Sequence, residues 1–534
     1  MSLIDYELRG AVQAAEVCAA RTTAVEKKRW GQYFSPPEVA VFMASLLKPA
    51  QGSPGGSIRV LDPGAGTGLL GLAAAHSLLA DGISRVHLVA VEPHPATRRL
   101  LQDTLLEATA RHGDRLSVEI LDLDFLDLAQ PRLDTPTPPP FDVAIANPPY
   151  FKMSPNDPRG GTAPNIYARF MEIAAHLLKP GGQLAFIIPR SFASGLYFQK
   201  FRRHLHDTLA LTHVHTFESR RDAFKAQGVL QENVIVRYVK NTPQPASIAV
   251  SSSTGAEDLQ TRTTLEVPRD LMLRRDDPQR VLRLPSTPED VALLSTLERW
   301  KDTLDSHGLK VSTGPVVPFR ATESLTRHPN GAPTAPLLWM QHVRAEGVTW
   351  PLGARFRKAE HLLLSATDKL TIPNRTYILL RRFSAKEEAR RLTAAVLRAG
   401  DLPGDEIGLE NHLNFIHRPG GLVDIEEALG LAALLNSPLL DQYFRIVNGN
   451  TQVNATDLRA LPLPPRDVIT ELGRKRLERP ACPVDALMDE VLLVKNRPDQ
   501  GDPGRAGDAP PAAKRERHLH PGRDGEHRPG YPLG

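Results

Sequence analysis

Short apolar runs alternate with helical patterns over the stretch from Ser57 to Lys240. Helical periodicity marks segments such as Leu69–Leu79 and Tyr167–Leu178. The apolar runs with the length and composition of buried strands are Ile58–Leu61, Val86–Val91, Val118–Leu121, Phe141–Ala146 and Leu184–Ile188. This alternation predicts an α/β fold with a parallel, doubly wound sheet. Leu211–Thr216 and Asn233–Val239 are candidates for two more strands.

The remaining chain divides by composition, so that residues 1–245 form one predicted domain. Residues 246–289 are rich in Ser, Thr, Pro and Arg without periodicity, and we interpret them as a linker. Residues 290–470 have the pattern of a second, mixed α/β domain with many basic side chains, and residues 471–496 that of a helical segment. Residues 497–534 have almost nothing to bury and are predicted to be disordered.

Composition changes this picture only slightly. A length of 534 residues fits two or three domains, and a net charge of +4 permits a nucleic-acid partner without requiring one. The two cysteines, Cys18 and Cys482, have no metal-ligand spacing, which argues against a metal site and fits a reducing compartment. No apolar run reaches the roughly 18 residues that span a bilayer, so we expect a cytoplasmic protein without a membrane segment.

The most informative motif is Asn147-Pro148-Pro149-Tyr150, directly after the fourth predicted strand. Open α/β sheets bind ligands at the carboxyl ends of their strands. The prolines stiffen the backbone and remove its donors. The Asn147 side-chain oxygen and the Pro148 carbonyl can therefore each accept one N–H of a planar amino group while Tyr150 stacks on the ring. A simple proline-stiffened turn is the alternative.

A glycine loop follows the first predicted strand. It begins at Asp62 and has glycines at Gly64, Gly66 and Gly68. The dinucleotide fingerprint would need glycine where Leu69 stands, and the Gly-Lys-Ser/Thr of a Walker loop is missing, so a pyrophosphate site is disfavoured. Glu92 ends the second strand, where a carboxylate can accept both hydroxyls of a ribose.

A third motif precedes the glycine loop. Ser35, with Glu38 three residues later, predicts a capping box, and Pro36 takes the first helical position. We expect a helix over Pro37–Leu47, whose N-terminal N–H groups suit a carboxylate.

In this order, Gln-Tyr-Phe-Ser-Pro, the glycine loop, Asn-Pro-Pro-Tyr and a long variable region resemble the gamma-type N6-adenine DNA methyltransferases of restriction–modification systems. Phe217–Phe224 and Val229–Val236 are similar to the PstI/BsuBI-like group. The resemblance covers roughly residues 30–240. Further on, Asn448–Arg459 and Leu461–Pro464 resemble the closing segment of that family's DNA-recognition region.

The resemblance implies a class I S-adenosylmethionine-dependent methyltransferase fold, Rossmann-like and doubly wound, with a C-terminal mixed α/β DNA-recognition domain. It implies S-adenosyl-L-methionine as the cofactor, bound by Tyr33, Ser35, Pro36, Asp62, Gly64, Gly66, Gly68, Glu92, Asp124 and Phe125. The acid after the third strand, Asp124, would accept from the cofactor adenine, with Asp122 and Asp127 as competing candidates. Asn147, Pro148 and Tyr150 would be catalytic. Tyr150 and Phe224 would hold the target base, although Phe224 fits an ordinary core position almost as well.

The hypothesis from the sequence is therefore site-specific N6-adenine methylation of double-stranded DNA with base flipping, by the protective methylase of a type II system. A separate cognate restriction endonuclease is inferred as a partner from the family alone. Methylation of RNA or of a protein glutamine is one alternative, and a non-catalytic DNA-binding specificity subunit is another. In the second domain, the candidates for DNA contacts are His342, Asn374, Asn411, Asn454 and Arg459.

Overall fold

The computed structural model describes residues 6–23, 34–48, 56–129, 141–154, 157–161, 163–218, 232–353, 355–364, 370–385, 387–449 and 451–495. Two predicted site residues, Tyr33 and Phe224, lie outside the described residues, as does the predicted tail.

A nine-stranded sheet organises the N-terminal half, in the order β3-β2-β1-β4-β5-β7-β6-β8-β9. The strands β1 to β5 pair in parallel, whereas β7 runs antiparallel to both of its neighbours. The bounds are β1 Ser57–Asp62, β2 Arg85–Val91, β3 Leu116–Leu121, β4 Phe141–Ala146, β5 Leu178–Pro189, β6 Leu209–Phe217, β7 Asn233–Lys240, β8 Ser247–Ser253 and β9 Thr263–Pro268. The predicted doubly wound α/β sheet, including both additional strands, is confirmed.

Helices cover both faces of this sheet. Successive strand residues face opposite sides, so Val60 packs in the core on one face and its neighbour Leu61 in the core on the other. Strands buried on both faces therefore have continuous apolar sequences. The helices are α1 Arg9–Arg21, α2 Pro37–Ser45, α3 Leu69–Ala80, α4 Pro95–His112, α5 Ile166–Leu177, α6 Gln199–Thr208, α7 Arg269–Met272 and α8 Pro288–Leu297.

The prediction of a linker over residues 246–289 is wrong where the structure has the strands β8 and β9. The strand β8 pairs with β6 in parallel and with β9 in antiparallel orientation. Its apolar residues Ile248 and Val250 are buried in the core, and the Ser251 hydroxyl bonds the His215 ring at 2.8 Å. A serine-rich strand is stable here because its buried hydroxyls find partners, which strand periodicity in the sequence does not show.

The C-terminal half has a mixed α/β architecture, as predicted. Its strands are β10 Lys310–Thr313, β11 Leu325–Thr326, β12 Thr334–Leu338, β13 Val343–Arg344, β14 Gly347–Val348, β15 His361–Leu363, β16 Thr371–Pro373, β17 Tyr377–Arg381, β18 Ala394–Leu397, β19 Glu406–Leu409 and β20 Leu413–His417. They form sheets in the orders β10-β20-β17-β18, β11-β15-β12-β19-β16 and β13-β14. The helices are α9 Ile425–Leu435, α10 Pro438–Val447, α11 Ala455–Arg459, α12 Arg466–Glu478 and α13 Val484–Lys495.

The two halves meet at Arg190, directly after β5. Its guanidinium donates to the backbone oxygens of Arg445 at 2.8 Å and Ile446 at 3.0 Å, at the end of α10. The end of β5 and the end of α10 are thereby held together. Within the described part of the chain, no helix has the length and apolar character needed to cross a membrane.

Candidate active site

A cavity of about 120 Å³ opens at the carboxyl edge of the sheet, beside β1, β2 and β4. Seven of the predicted site residues line it: Ser35, Gly64, Gly66, Glu92, Asp124, Phe125 and Asn147. Motifs that are far apart in the sequence meet here because the carboxyl ends of neighbouring parallel strands share one edge.

The glycine loop shapes the floor of this cavity. Gly66 and Gly68 have left-handed backbones, with φ of 54° and 92°. A Cβ at Gly66 would lie 3.1 Å from the Phe34 ring, and one at Gly68 would lie 2.9 Å from the Leu101 side chain. Any side chain at either position would therefore strain the turn and displace its neighbours.

Asp62 is hydrogen-bonded to the first turn of the helix that follows this loop. Its side chain is fully buried, and Oδ2 accepts from the backbone N–H of Gly71 at 2.9 Å. Burial raises the pKa of the carboxyl to about 7. Asp62 does not line the cavity, so the structure gives this predicted cofactor residue the geometry of a loop brace.

Glu92 lines the cavity at the end of β2. Its Oε2 accepts from the Gly66 N–H at 3.0 Å, and its Oε1 accepts from the His94 N–H at 2.9 Å. Burial outweighs these two bonds and raises the pKa to about 7. A carboxylate has about four acceptor positions, so two remain for a pair of hydroxyls.

Asp124 is the acid that lines the cavity after β3. Its Oδ1 accepts from the Leu126 N–H, and its Oδ2 accepts from Arg159, each at 3.0 Å. The competitors Asp122 and Asp127 do not line the cavity, and Asp122 instead pairs with Arg98 at 2.5 Å.

Two aromatic rings line the cavity next to Asp124. Phe125 packs against Phe170 of α5 with 4.8 Å between the ring centroids. The sequence analysis missed Phe170 and Phe34, which line the cavity, and Arg159, which does not line it but donates to Asp124. Phe34 stood inside the Gln-Tyr-Phe motif, whereas Phe170 looked like any apolar residue of an amphipathic helix.

The predicted capping box at Ser35 is wrong. The helix α2 begins at Pro37, with Pro36 as its N-cap, and no side-chain cap bond forms. The Ser35 hydroxyl instead accepts from the Asn147 side-chain N–H at 3.2 Å. Because Pro36 is the N-cap residue, Ser35 lies one position before the cap, and its hydroxyl contacts the β4 motif.

Asn147 has its amide fixed from both ends. The Tyr150 hydroxyl donates to Asn147 Oδ1 at 2.6 Å and also lies 3.1 Å from the backbone oxygen of Ile187. The Tyr150 ring is half-buried and meets Tyr167 edge-on, with 6.1 Å between the centroids. Pro148 is buried and does not line the cavity, whereas Pro149 does.

Several predicted DNA contacts have structural partners instead. His342 is fully buried and bonds Glu360 at 2.8 Å, so its proposed contact with DNA is wrong. The Asn374 amide donates to the backbone oxygens of Leu402 and Gly404. Asn454 forms the capping box of α11.

Outside the cavity, Glu7, His76 and His112 have side-chain ligand atoms within 4.8 Å of one another. The same Glu7 carboxylate accepts from Arg111 at 3.3 Å. Because this guanidinium already supplies the opposite charge, the group has the character of an ion-pair cluster.

Known proteins similar to this chain are methyltransferases, as the sequence motifs predict. Residues 129–224 match the family model of the Eco57I restriction-modification methylase. The Type II methyltransferase M.PstI of Providencia stuartii is 34% identical over 473 residues, which cover 86% of this chain and 92% of that protein. The Type II methyltransferase M.BsuBI of Bacillus subtilis is 34% identical over 490 residues, covering 88% and 95%.

Among solved structures, the DrdV–DNA complex aligns with 89% of this chain and 60% of that chain, at 14% identity and a TM-score of 0.46. The doubly wound sheet, together with the similarity to M.PstI and M.BsuBI over most of the chain, gives the protein the fold of the class I S-adenosylmethionine-dependent methyltransferases. It belongs to the DNA methyltransferases of type II restriction–modification systems, the family of M.PstI and M.BsuBI.

Proposed function

We propose that this methyltransferase uses S-adenosylmethionine to methylate the N6 amino group of an adenine extruded from double-stranded DNA. The target adenine would lie within one short sequence that a cognate endonuclease also recognises. The observation that carries the proposal is the Asn147 amide, held beside the cavity at the carboxyl end of β4 with its oxygen under the Tyr150 hydroxyl.

The chemistry of the cavity fits this cofactor. No Lys or Arg lines it among the described residues, which disfavours a pyrophosphate, whereas Glu92 and Asp124 offer acceptors for hydroxyls and an amino group. Phe125 and Phe170 supply apolar surface for a flat ring. Gly64 and Gly66 line the cavity without side chains, so a ligand can approach the backbone closely there. When bound, the cofactor supplies an electrophilic methyl group on a sulfonium.

On the side of the target, Asn147 Oδ1 and the Pro148 carbonyl would each accept one hydrogen of the adenine amino group. Such bonding concentrates electron density on the nitrogen and orients its lone pair. Tyr150, braced by Tyr167, would stack on the base. The nitrogen loses its proton only after it becomes positively charged, so the chain contributes position and dipoles and needs no base before the attack.

Residues 290–470 would form the domain that contacts the DNA and recognises its sequence. The contact through Arg190 places the end of α10 beside the end of β5, and the segment Asn448–Arg459 follows α10 directly. A recognition segment attached at this point would lie near the edge that carries Asn147.

The test is to incubate the protein and S-adenosylmethionine with unmethylated genomic DNA and then to sequence the product by a method that reports modified bases. Methyladenine confined to one short motif is expected. Methylcytosine, or no modified base from folded and cofactor-bound protein, would refute the proposal.

Asn147→Ala sharpens this test. It should abolish methyl transfer and leave the cofactor dissociation constant nearly unchanged, because the Asn147 amide is assigned to the target base. Asp122→Asn is the control, since Asp122 is an exposed acid that does not line the cavity.

A further inference from the structure

Three exposed apolar side chains lie on the segments that leave β4 and β5. Phe151 is 39% exposed, Leu196 is 50% exposed and Tyr197 is 86% exposed. Because β4 and β5 are parallel neighbours, these segments lie at the edge of the sheet that carries Asn147. Leu196 and Tyr197 are neighbours in the chain and form an exposed apolar pair at this edge, a feature that marks interaction surfaces.

The turn that carries Leu196 and Tyr197 is connected to the proposed target-base site by packed rings. Phe198 stacks on Tyr167 with 5.6 Å between the ring centroids, and Tyr167 contacts Tyr150 edge-on. A displacement of Phe198 would therefore disturb the residue assigned to the target base. The exposed pair is thus fixed relative to that site.

Hydrogen bonds from a buried arginine also hold the backbone of this turn. The buried Arg202 donates to the backbone oxygens of Phe192 at 2.9 Å and Gly195 at 2.7 Å. A Cβ at Gly195 would lie 2.8 Å from the backbone oxygen of Ser191, so the chain bends as tightly as glycine permits. The backbone that carries Leu196 and Tyr197 is therefore held in place.

The charge around the turn favours a polyanion. Lys152, Lys200 and Arg203 are exposed. Residues 147–154 and 194–206 contain no Asp or Glu, and the next acid, Asp207, pairs with Arg280 at 3.8 Å. An exposed apolar tip with Lys200 and Arg203 on the helix that follows it matches the requirements of duplex DNA, whose bases are flat and whose backbone is anionic.

We propose that Leu196 and Tyr197 form a wedge that enters the duplex where the target adenine leaves it, with Tyr197 stacking on the partner base that remains unpaired. Lys200 and Arg203 contact the flanking phosphates. This inference rests on the proposed adenine methylation and adds to it the residues that hold the DNA open. Extrusion of a base loses stacking and pairing, and a wedge that stacks on the remaining bases offsets part of that loss.

The test is a double-mutant cycle between the wedge and the unpaired base. Two duplexes carry the recognition site, one fully paired and one with an abasic nucleotide opposite the target adenine. The double variant Leu196→Ala/Tyr197→Ala should lose about tenfold in affinity and in kcat/KM on the paired duplex, and less than about threefold on the abasic one, because the contact partner is already missing there. Cofactor affinity should not change.

Two matched variants complete the design. Tyr197→Phe keeps the ring and should behave as wild type. Leu106→Ala removes a leucine of α4 that is 70% exposed, more than Leu196, and should have no effect on either duplex. These controls separate stacking from a general loss of apolar surface.

Equal losses on both duplexes, or no loss on the paired one, would overturn the wedge. The binding arm does not require methyl transfer. If wild-type protein methylates no adenine, the proposed function fails and no recognition site is defined. If wild-type protein methylates adenine at a defined site but the double variant loses equal affinity on both duplexes, the wedge alone fails.

Discussion

At the scale of single residues, Tyr150 has a ring and a hydroxyl with separable roles. The hydroxyl holds Asn147 Oδ1 at 2.6 Å, whereas the ring would stack on the target. Base–aromatic stacking contributes about 1–3 kcal/mol per base. Tyr150→Ala should therefore weaken binding of the cognate duplex roughly five- to 150-fold, whereas Tyr150→Phe should retain most of it. Both affinities can be measured by fluorescence anisotropy, with cofactor affinity by calorimetry as the control. An equal loss in the Tyr150→Phe and Tyr150→Ala variants would assign the effect to the hydroxyl.

Glu92 predicts a pH dependence of cofactor binding. Burial raises its pKa to about 7, so the carboxyl gains a proton below that pH and loses an acceptor for the ribose hydroxyls. Affinity should therefore increase as the pH rises through 7, and should fall by up to about tenfold per pH unit below it. Titration calorimetry between pH 6 and 8 measures this directly.

Glu92→Gln should bind the cofactor more weakly and lose most of that pH dependence. Asp103→Asn, which changes an exposed acid of α4, should keep the wild-type profile. Asp62 also has a pKa raised to about 7, so an unchanged profile in Glu92→Gln would transfer the titration to Asp62 and contradict the role of Glu92.

Which residue types form the site could be predicted from the sequence, whereas the bonds that they make could not. Gly64, Gly66, Glu92 and Asn147 line the cavity because strand ends fix their positions. Ser35 was expected to cap a helix and instead bonds Asn147, 112 positions away. Local patterns specify local bonds, and a long-range partner replaces them without leaving a signal in the sequence.

At the scale of elements, the helices α9 and α12 approach so closely that glycine is required at their contact. A Cβ at Gly430 would lie 1.8 Å from the backbone oxygen of Ile469, and one at Gly473 would lie 1.7 Å from that of Glu426. Gly430→Ala should therefore destabilise the protein by about 1–3 kcal/mol or more, since backbone must move. Urea denaturation measures the loss. Arg474→Ala, on the exposed side of α12, should stay within about 0.5 kcal/mol. Similar values for both variants would show that the helices separate easily.

The same scale explains why the sheet was predictable and β8 was not. The strands β1, β2, β4 and β5 each have apolar residues buried on both faces of the sheet, so each contains a continuous apolar run. The strand β8 instead ends in Ser251, Ser252 and Ser253, which are stabilised by bonds to His213, His215 and Thr263. Strand content that depends on polar partners is invisible to a search for apolar periodicity.

At the scale of the whole molecule, Arg190 couples the two halves through buried bonds. It pairs with Glu232 at 2.5 Å and donates to the backbone oxygens of Arg445 and Ile446. Removing one partner of a buried pair costs about 3–5 kcal/mol, because the remaining charge stays unpaired. Arg190→Met should therefore lower the free energy of unfolding by that amount. It should also weaken DNA binding tenfold or more through loss of alignment between the halves, with cofactor affinity kept within about threefold.

Two further variants separate the causes of that effect. Lys179→Met breaks the partly exposed pair with Asp142 at the other end of β5 and should cost at most about 1 kcal/mol. Adding Glu232→Gln to Arg190→Met removes the unpaired charge and should restore part of the stability, but not DNA affinity, because the bonds to α10 remain absent. Recovery of both properties would show that charge burial alone, rather than alignment of the two halves, makes Arg190 necessary.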